Sequence, residues 1–379
     1  MSFAPTPEQR DALAKFRAGG SLRVTALAGA GKTTLLKYLA AAVPRKRVLY
    51  IAFNKSVQME ASASFPANAE ARTAHSLAYR QFGEPFAKRL ADRRRVSPAA
   101  AARLLGQHER FVVVPPQGFD LGVTLQPGQV AALALQTTRR FIRSAADAVS
   151  VRHFVPPEGL EHAPGMPALR ARVVELAQAA WTDLRSPDGA LRMEHDVYLK
   201  LWAMSRPRLR RFDVIMVDEA QDTDPLLAQV IANQSHAQIV VVGDENQSIY
   251  GWRGATDFLT RFPARATAQL THSFRFGAAI AAEANVWLTH LRSPLRVVGA
   301  PGKLSAVKTV TYPSAILCRT NAGAMSAVIE SLLLRRRPAL VGGAGPLARF
   351  VQAAELLQDG TPTEHPDLIG FASWAEVRA

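Results

Sequence analysis

The sequence predicts an α/β fold that is built on a parallel sheet. Continuous apolar runs, typical of strands that are buried on both faces, occur at Leu22–Leu27, Arg47–Phe53, Phe212–Val217 and Gln238–Asp244. Segments with a helical pattern follow such runs, as Leu35–Leu39 follows the first. Strands that alternate with helices at this spacing indicate a parallel sheet whose faces are covered by helices.

One helix is predicted before the first strand and another after the second. Before the first strand, Thr6 is predicted as the helix cap, Pro7 as the first helical residue and Gln9 as the third. After the second strand, Ala71–Thr73 leads into a further helix that begins near Ala74. These elements complete the first half of the predicted α/β domain.

Residues 84–205 interrupt this pattern. They contain stretches rich in Ala and Arg that are predicted to be helical, namely Ala99–Glu109, Gly128–Ala148 and Ala168–Arg185. Loops that contain proline separate these stretches. We interpret residues 84–205 as a helical insertion into a domain that consists of residues 1–83 and 206–275.

Residues 276–379 are predicted to begin another α/β unit. A helix is expected to start near Gly277, and Ala315–Arg319 is expected to form a strand. Helices are predicted at 322–334 and 345–357. With 379 residues, the chain has the length of two or three domains, which agrees with this division.

The charge of the chain points to a polyanionic partner. The 46 lysines and arginines exceed the 31 aspartates and glutamates and give a formal charge of +15. Such an excess favours a nucleic acid over a membrane, because no single basic amphipathic helix accounts for it. The alternative is that the composition reflects an Arg- and Ala-rich genome.

Cysteine content and hydropathy indicate the cellular compartment in which the protein is expected. Cys318 is the only cysteine, which excludes intrachain disulfides and Cys-based zinc sites and fits a reducing environment. Residues 1–14 are polar and resemble no signal peptide, and no apolar run is long enough to cross a bilayer. We therefore expect a cytoplasmic protein without membrane partners.

The stretch Ala26–Thr34 joins the first strand to the first helical pattern through Gly29 and Gly31. Such a turn points backbone N–H groups and the positive end of a helix at one spot, which suits a polyphosphate. It therefore reads as a P-loop, in which Lys32 reaches the β- and γ-phosphates and Thr33 holds Mg²⁺. Ala26 stands where the G-x-x-x-x-G-K-[ST] pattern has its first glycine. The alternative is a plain turn from strand to helix.

Asp218 and Glu219 end the strand that begins at Phe212. Ligands bind at the carboxyl ends of strands in open parallel sheets. Next to a P-loop, the first carboxylate can hold the Mg²⁺ shell and the second can take a proton from an attacking water. The alternative is a solvated turn.

Two further groups fit phosphoryl transfer. Gln247 follows the strand Gln238–Asp244 and is a candidate for orienting the water. Arg275 is a candidate for neutralising charge in the transition state. Taken alone, an arginine after a strand is more often a partner in a surface salt bridge.

A third group of residues suits single-stranded nucleic acid. Tyr250, Trp252 and Arg253 interleave aromatic rings with a cation, a pattern that favours stacking on bases. The alternative for Trp252 is packing in the core. Phe53 with Asn54, and Thr73 with His75, end other strands and can contact bases and phosphates. His75 lacks partners at the spacing of a metal site.

Taken together, the motifs resemble those of the UvrD/Rep-type superfamily 1 helicases, in the same order. The eight motifs are Thr6–Gln9, Ala26–Thr34, Ala52–Lys55, Thr73–Ser76, Val217–Asp222, Gly243–Gly254, Ser273–Arg275 and Arg319–Asn321. Within that group the sequence resembles in particular the helicase part of the F-box DNA helicases, through Met193–Trp202 and Ser273–Gly277.

The resemblance implies a role for each matching residue. Gln9 would read the adenine edge, and Phe274 would stack on the base. The phosphates would be cradled by Ala28, Gly29, Ala30, Gly31, Lys32, Thr33 and Thr34. The hydrolytic centre would consist of Lys32, Thr33, Asp218, Glu219, Gln247 and Arg275. The DNA track would be lined by Phe53, Asn54, His75, Tyr250, Trp252, Arg253, Arg319 and Asn321. Thr34 departs from the pattern, because many UvrD-type proteins carry an arginine there.

The resemblance also implies an activity and an architecture. Such enzymes use ATP and Mg²⁺ to step 3′ to 5′ along single-stranded DNA as two RecA-like lobes close and reopen, often in DNA repair or recombination. Residues 276–379 would form part of the second lobe, without its last two motifs. The alternatives are an ATP- and DNA-binding module that does not unwind, either short by nature or completed by a second polypeptide, or a fragment or subunit of a larger helicase.

Overall fold

The computed structural model describes residues 4–92, 96–113, 123–249 and 257–361, and beyond these 363, 365, 368, 369, 371 and 373–378. The chain divides into two compact units, which we treat one at a time. The first comprises Met1–Arg93, Phe141–Asp147 and Met193–Val307, and the second comprises Arg94–Arg140, Ala148–Arg192 and Lys308–Ala379.

The first unit is built on a parallel sheet, as the sequence predicts, and this sheet has six strands. The strands are β1 (Leu22–Ala26), β2 (Val48–Ala52), β3 (Ala69–Thr73), β6 (Val214–Val217), β7 (Gln238–Gly243) and β8 (Ala266–Leu270). Their order is β3-β2-β6-β7-β1-β8, and every neighbouring pair is parallel. All six carboxyl ends therefore meet at one edge of the sheet.

Burial distinguishes the central strands from the edge strands. Every residue of β2 and β6 is buried, because helices cover both faces of the sheet there. The edge strand β8 alternates buried and accessible residues, so it lacks the continuous apolar run by which β1, β2, β6 and β7 are recognised. For this reason the sequence analysis did not identify β8.

Helices of the first unit surround this sheet. They are α1 (Pro7–Arg17), α2 (Lys32–Ala41), α3 (Lys55–Ser64), α4 (Ala74–Ala78), α5 (Ala87–Ala91), α9 (His195–Met204), α10 (Pro225–Ala232), α11 (Phe258–Arg261) and α12 (Ala278–His290). The predicted cap of α1 is confirmed, since Thr6 and Gln9 form a capping box. A π-helical turn at Tyr79–Gly83 and a 3-10 turn at Glu84–Phe86 follow α4.

The main core lies between the sheet and α1 and α2. Leu22 and Val240 from the sheet pack with Leu35 and Leu39 from α2, and all four are fully buried. A smaller cluster forms where α12 meets Leu27 and Val297. These two clusters hold the loop after β1 between them, which fixes the position of the predicted P-loop.

The second unit is mainly helical. Its helices are α6 (Pro98–Leu104), α7 (Pro127–Ile142, whose last two residues belong to the first unit), α8 (Met166–Leu184), α13 (Asn321–Leu333), α14 (Gly345–Gln358) and α15 (Trp374–Arg378). It also contains an antiparallel pair of short strands, β4 (Phe111–Val113) and β5 (Val123–Leu125), which the sequence analysis did not predict. The boundaries that the sequence suggests for the insertion and for the second lobe stay a prediction.

One predicted strand is absent. Residues 301–320, all of which the structure describes, contain no strand, and Leu317 in the predicted strand Ala315–Arg319 is 98% exposed. The helices predicted to follow it are confirmed as α13 and α14. A parallel strand requires a neighbour for its N–H and C=O groups, and no described strand pairs with this stretch.

Among the described residues, no helix combines the length and the apolar character needed to cross a membrane.

Candidate functional site

The loop between β1 and α2 has the backbone that a phosphate cradle requires. Gly29 and Gly31 adopt φ angles of +72° and +82°, in the left-handed region that residues with a side chain rarely adopt. A Cβ atom on Gly29 would also approach the Ser273 Oγ to 2.5 Å. Gly31 gives α2 no side-chain cap, so the first N–H groups of this helix face the loop. Ala28 and Ala30 belong to this loop, and Thr34 to the first turn of α2.

The segment after β8 packs directly on this loop. The Phe274 N–H donates to the Gly29 carbonyl at 2.8 Å, and the Arg275 N–H donates to the Ser273 Oγ at 3.2 Å. A Cβ atom on Gly31 would lie 3.2 Å from the ring of Phe274, which is 55% exposed. The exposed guanidinium of Arg275 forms no hydrogen bond or ion pair with any residue that the structure describes.

Gln9 adds a polar group beside the same loop. Its Oε1 accepts a hydrogen bond from the Thr6 N–H at 3.1 Å and so completes the cap of α1. Its Nε2 is buried and finds no hydrogen-bond partner among the described residues. A Cβ atom on Gly31 would lie 3.1 Å from this Nε2. A buried amide donor without an acceptor is costly and suits an acceptor that comes from outside the chain.

Two carboxylates follow β6 at the same edge. Asp218 is 7% exposed and accepts hydrogen bonds from the Tyr50 hydroxyl at 2.7 Å and from the Glu219 N–H at 3.0 Å. Burial, and then the charge of Glu219, raise the pKa of the Asp218 carboxyl. Burial, and then the charge of Asp218, raise the pKa of the Tyr50 hydroxyl, which therefore stays protonated and donates.

Lys32 contacts the second carboxylate. Its Nζ donates to the Glu219 Oε2 at 2.7 Å, so β1 and β6 are linked by an ion pair at their carboxyl ends. Glu219 has a φ of +50°, which is uncommon for a residue with a side chain. Such strain is found at functional sites that the surrounding structure holds in place.

A chain of hydrogen bonds continues from Glu219 to β7. The Gln221 Nε2 donates to the Glu219 Oε2 at 2.9 Å, and the Asp244 N–H donates to the Gln221 Oε1 at 3.0 Å. The Gln247 Nε2 in turn donates to the Asp244 Oδ2 at 2.5 Å. The chain joins Gln247 to Glu219 through two residues to which the sequence analysis assigned no role. Their position directly after strands was the available signal.

A cleft of about 410 Å³ opens beside these groups, and we call it the Thr33 cleft. Thr33, Asp218, Glu219 and Gln247 line it. The two predicted magnesium ligands, Thr33 and Asp218, therefore face one space together with the predicted base and the predicted water-orienting amide.

A second cleft of about 410 Å³ lies at the carboxyl ends of β2 and β3, and we call it the His75 cleft. Phe53, Asn54 and His75, all predicted to contact DNA, line it together with Arg143 and Asp196. The ring of Phe53 is 43% exposed. The Asn54 Oδ1 accepts from the Val57 N–H at 2.9 Å and caps α3.

Asp196 joins a histidine and an arginine in the His75 cleft. The His75 Nε2 lies 3.1 Å from one Asp196 oxygen, and the Arg143 Nε donates to the other at 3.1 Å. The hydrogen bond with His75 and the charge of Arg143 lower the pKa of the Asp196 carboxyl to about 2, against the effect of burial. Sequence reasoning missed both Arg143 and Asp196. Asp196 falls in the stretch Met193–Trp202 that carries a family resemblance, whereas Arg143 gives no local signal.

The remaining predicted DNA contacts lie outside the described part of the first unit. Tyr250, Trp252 and Arg253 lie outside the described residues. Arg319 is exposed and Asn321 is the first residue of α13, both in the second unit. Their contact with DNA stays a prediction.

Comparison with known proteins agrees with the motifs. The UvrD/REP helicase N-terminal domain family matches residues 200–262. F-box DNA helicase 1 of Gallus gallus is 30% identical over 72% of this chain and 26% of its own length. F-box DNA helicase protein 1 of Schizosaccharomyces pombe is 29% identical over 94% of this chain and 43% of its own length. DNA helicase II of Escherichia coli is 34% identical over 24% of this chain and 14% of its own length. The chain thus spans less than half the length of each of these relatives.

Proposed function

The chain belongs to the UvrD/Rep-like helicases of superfamily 1, and on that premise we propose that it binds ATP with Mg²⁺, hydrolyses the nucleotide and thereby moves 3′ to 5′ along single-stranded DNA and separates strands. The observation that carries the proposal is the linkage of three strand ends. Lys32 after β1 pairs with Glu219 after β6, and hydrogen bonds continue from Glu219 to Gln247 after β7.

The residues beside α1 fit an adenine nucleotide. The buried Nε2 of Gln9 offers a hydrogen bond that no described residue accepts, which supports contact with an acceptor on a base edge. The exposed ring of Phe274 is available for stacking. Gly29 and Gly31 leave room for phosphates where any Cβ atom would crowd the loop.

The residues at the Thr33 cleft fit a magnesium ion that is bound mainly through the phosphates. Mg²⁺ typically keeps several waters and takes one or two oxygens from the protein. Thr33 and Asp218 would supply these oxygens. The hydrogen bonds from Tyr50 and from the Glu219 backbone hold the Asp218 carboxylate in one orientation. When bound, the ion neutralises charge on the phosphates.

The remaining groups each have one role in the proposed hydrolysis of ATP. Lys32 turns from Glu219 toward the phosphates, and the freed Oε2 of Glu219 takes a proton from the attacking water. Gln247, held by Asp244, orients that water. Arg275 has a guanidinium without a described partner, so it is available to balance charge at the γ-phosphate.

DNA is proposed to run past Phe53, Asn54 and His75, in line with the basic excess of the chain. By the same family argument, we propose that the activity serves DNA repair or recombination. The single cysteine favours a reducing compartment, and we propose the cytoplasm. A second candidate function is an ATP- and DNA-binding module that acts without unwinding or that a second polypeptide completes. It is favoured by one observation: the predicted strand Ala315–Arg319 of the second lobe is not formed.

Turnover of ATP by the purified chain tests the proposal. We expect release of phosphate that single-stranded DNA stimulates and that Lys32→Ala abolishes. Tight binding of ATP without turnover would support the module. If Lys32→Ala changes neither ATP affinity nor turnover, the assignment of the loop after β1 is wrong.

A further inference from the structure

Arg143 lines the His75 cleft, and only one of its guanidinium nitrogens donates a hydrogen bond to a described residue. Its Nε donates to Asp196 at 3.1 Å, while its two Nη groups form no hydrogen bond or ion pair with a residue that the structure describes. The side chain is 47% exposed. A guanidinium presents a planar set of five N–H donors. With Nε fixed, the Nη groups remain available to an anion from solution.

Asp196 orients both Arg143 and His75. One carboxylate oxygen holds Arg143 and the other holds His75, so the two side chains approach the same carboxylate from different elements. The ring of His75 is also held edge-on against Tyr198, with centroids 5.9 Å apart. Two neighbours thus fix the imidazole, and the carboxylate keeps its charge because its pKa is about 2.

The segment that carries Arg143 is itself fastened to α9. The Nζ of Lys200, which is fully buried, donates to the Ser144 carbonyl at 2.7 Å and to the Ala146 carbonyl at 2.5 Å. The same Nζ lies 4.3 Å from the centre of the Phe141 ring. Lys200 follows Asp196 by one helical turn, so α9 holds the segment at two points on one face.

From this geometry we propose that Asp196 is a positioning residue that aims Arg143 and His75 at a phosphate of the bound single strand, which makes Arg143 a further DNA-binding residue. The inference rests on the proposed binding of single-stranded DNA. Arg143 and His75 are accessible, with side chains 47% and 42% exposed, whereas Asp218 in the same cleft is only 7% exposed. A phosphate from solution therefore reaches Arg143 and His75, while the buried carboxyl group of Asp218 offers it no favourable contact.

Binding of a fluorescein-labelled oligothymidylate, followed by anisotropy over a range of salt concentrations, tests this inference. We expect Arg143→Ala to weaken binding about fivefold to tenfold. The slope of log affinity against log salt should fall by about 0.7, the value for one phosphate contact on a single strand. Arg143→Lys retains a charge and should preserve the slope, but it should bind less tightly than the parent because lysine cannot present the same fork of donors.

Asp196→Asn separates positioning from simple repulsion. If Asp196 only repelled phosphates, removing its charge would tighten binding. Positioning predicts weaker binding instead, and it predicts that Asp196→Asn adds little to Arg143→Ala in the double variant. Tighter binding by Asp196→Asn, or additive losses, would overturn the proposal.

Arg211→Ala is the matched control. Arg211 also pairs with a carboxylate, that of Glu70, but it precedes β6 and so lies at the opposite edge of the sheet. Its loss should leave affinity and slope unchanged. A parent chain that fails to bind the oligonucleotide would contradict the proposed function as well. If Phe53→Ala weakens binding while Arg143→Ala does not, only the present inference fails.

Discussion

The two clefts at the carboxyl edge of the sheet are built in different ways. In the Thr33 cleft, Asp218 is buried and the Lys32 side chain, which pairs with Glu219, is only 12% exposed. In the His75 cleft, Arg143 and His75 lie in accessible positions around one carboxylate. Buried charges interact strongly and are little screened, whereas exposed charges are weak and sensitive to salt. We therefore expect large, salt-independent effects at the first cleft and small, salt-dependent effects at the second.

Glu219→Gln is the sharpest test of the Thr33 cleft. The amide retains the shape of the side chain but cannot take a proton from water, so we expect DNA-stimulated ATP turnover to fall by about 10²–10⁴. ATP affinity should change only a few-fold, because the glycine loop and Gln9 remain. Steady-state turnover and nucleotide binding measure the two quantities.

Glu245→Gln is the control for that variant. Glu245 follows β7 as Glu219 follows β6, and it contacts Thr260 rather than Lys32. Its turnover should match that of the parent. If both variants lose the same ATP turnover, any carboxylate near this edge of the sheet supports hydrolysis. That result would contradict a distinct role for Glu219.

The difference between the clefts also explains what the sequence could predict. Asp218 and Glu219 lie directly after a buried strand, and Lys32 ends the loop that follows another, so their meeting follows from parallel pairing and the P-loop pattern. Arg143 and His75 meet only through Asp196, and Lys200 fastens residues 141–147 to α9, contacts that no local pattern encodes.

The missing strand has a similar cause. Ala315–Arg319 has the apolar pattern of a strand, but a strand forms only where another strand pairs with it, and local sequence does not report that partner. In contrast, the helices α13 and α14 satisfy their own backbone hydrogen bonds, and they form where they were predicted.

Tyr50→Phe tests how far the Thr33 cleft depends on burial. The hydroxyl is the buried donor to Asp218, and its loss leaves a buried carboxylate with one fewer hydrogen bond. We expect the free energy of unfolding to fall by about 2 kcal/mol. Urea unfolding measures the change. Tyr312→Phe, at an exposed tyrosine, should have little effect, and equal losses would mean that the hydroxyl of Tyr50 has no special weight.

Gln9→Glu tests the unpaired amide. A carboxylate retains the oxygen that accepts from the Thr6 N–H, so α1 keeps its cap, but the donor Nε2 is lost. We expect ATP to bind about tenfold more weakly, with a smaller change for nucleotides that carry other bases. Competition between ATP and CTP measures the preference.

Thr6→Ala supplies the converse variant. It removes the hydroxyl that accepts from the Gln9 N–H and leaves the amide of Gln9 in place. Stability should fall by about 1 kcal/mol while the preference for ATP persists. If Thr6→Ala lowers that preference as much as Gln9→Glu does, the cap and not the amide controls nucleotide binding.

The smallest effect is expected at the His75 cleft, where Asp196→Asn should lower the free energy of unfolding only slightly. The pKa of Asp196 lies near 2 in the folded chain, below its usual 3.8, so its ionised form stabilises the fold above about pH 4 and this contribution is lost as the pH falls toward 2. Because His75 and Arg143 are accessible to water, we expect only about 1 kcal/mol at pH 7 and roughly half of that at pH 3, by urea unfolding. Asp11→Asn, which removes an exposed pair with Lys15, should change stability by less than about 0.5 kcal/mol. A loss at Asp196 that is as large as at Tyr50 would contradict the distinction between the clefts, because it would mean that the pair with Arg143 and His75 is as well shielded from water as the hydrogen bond to Asp218.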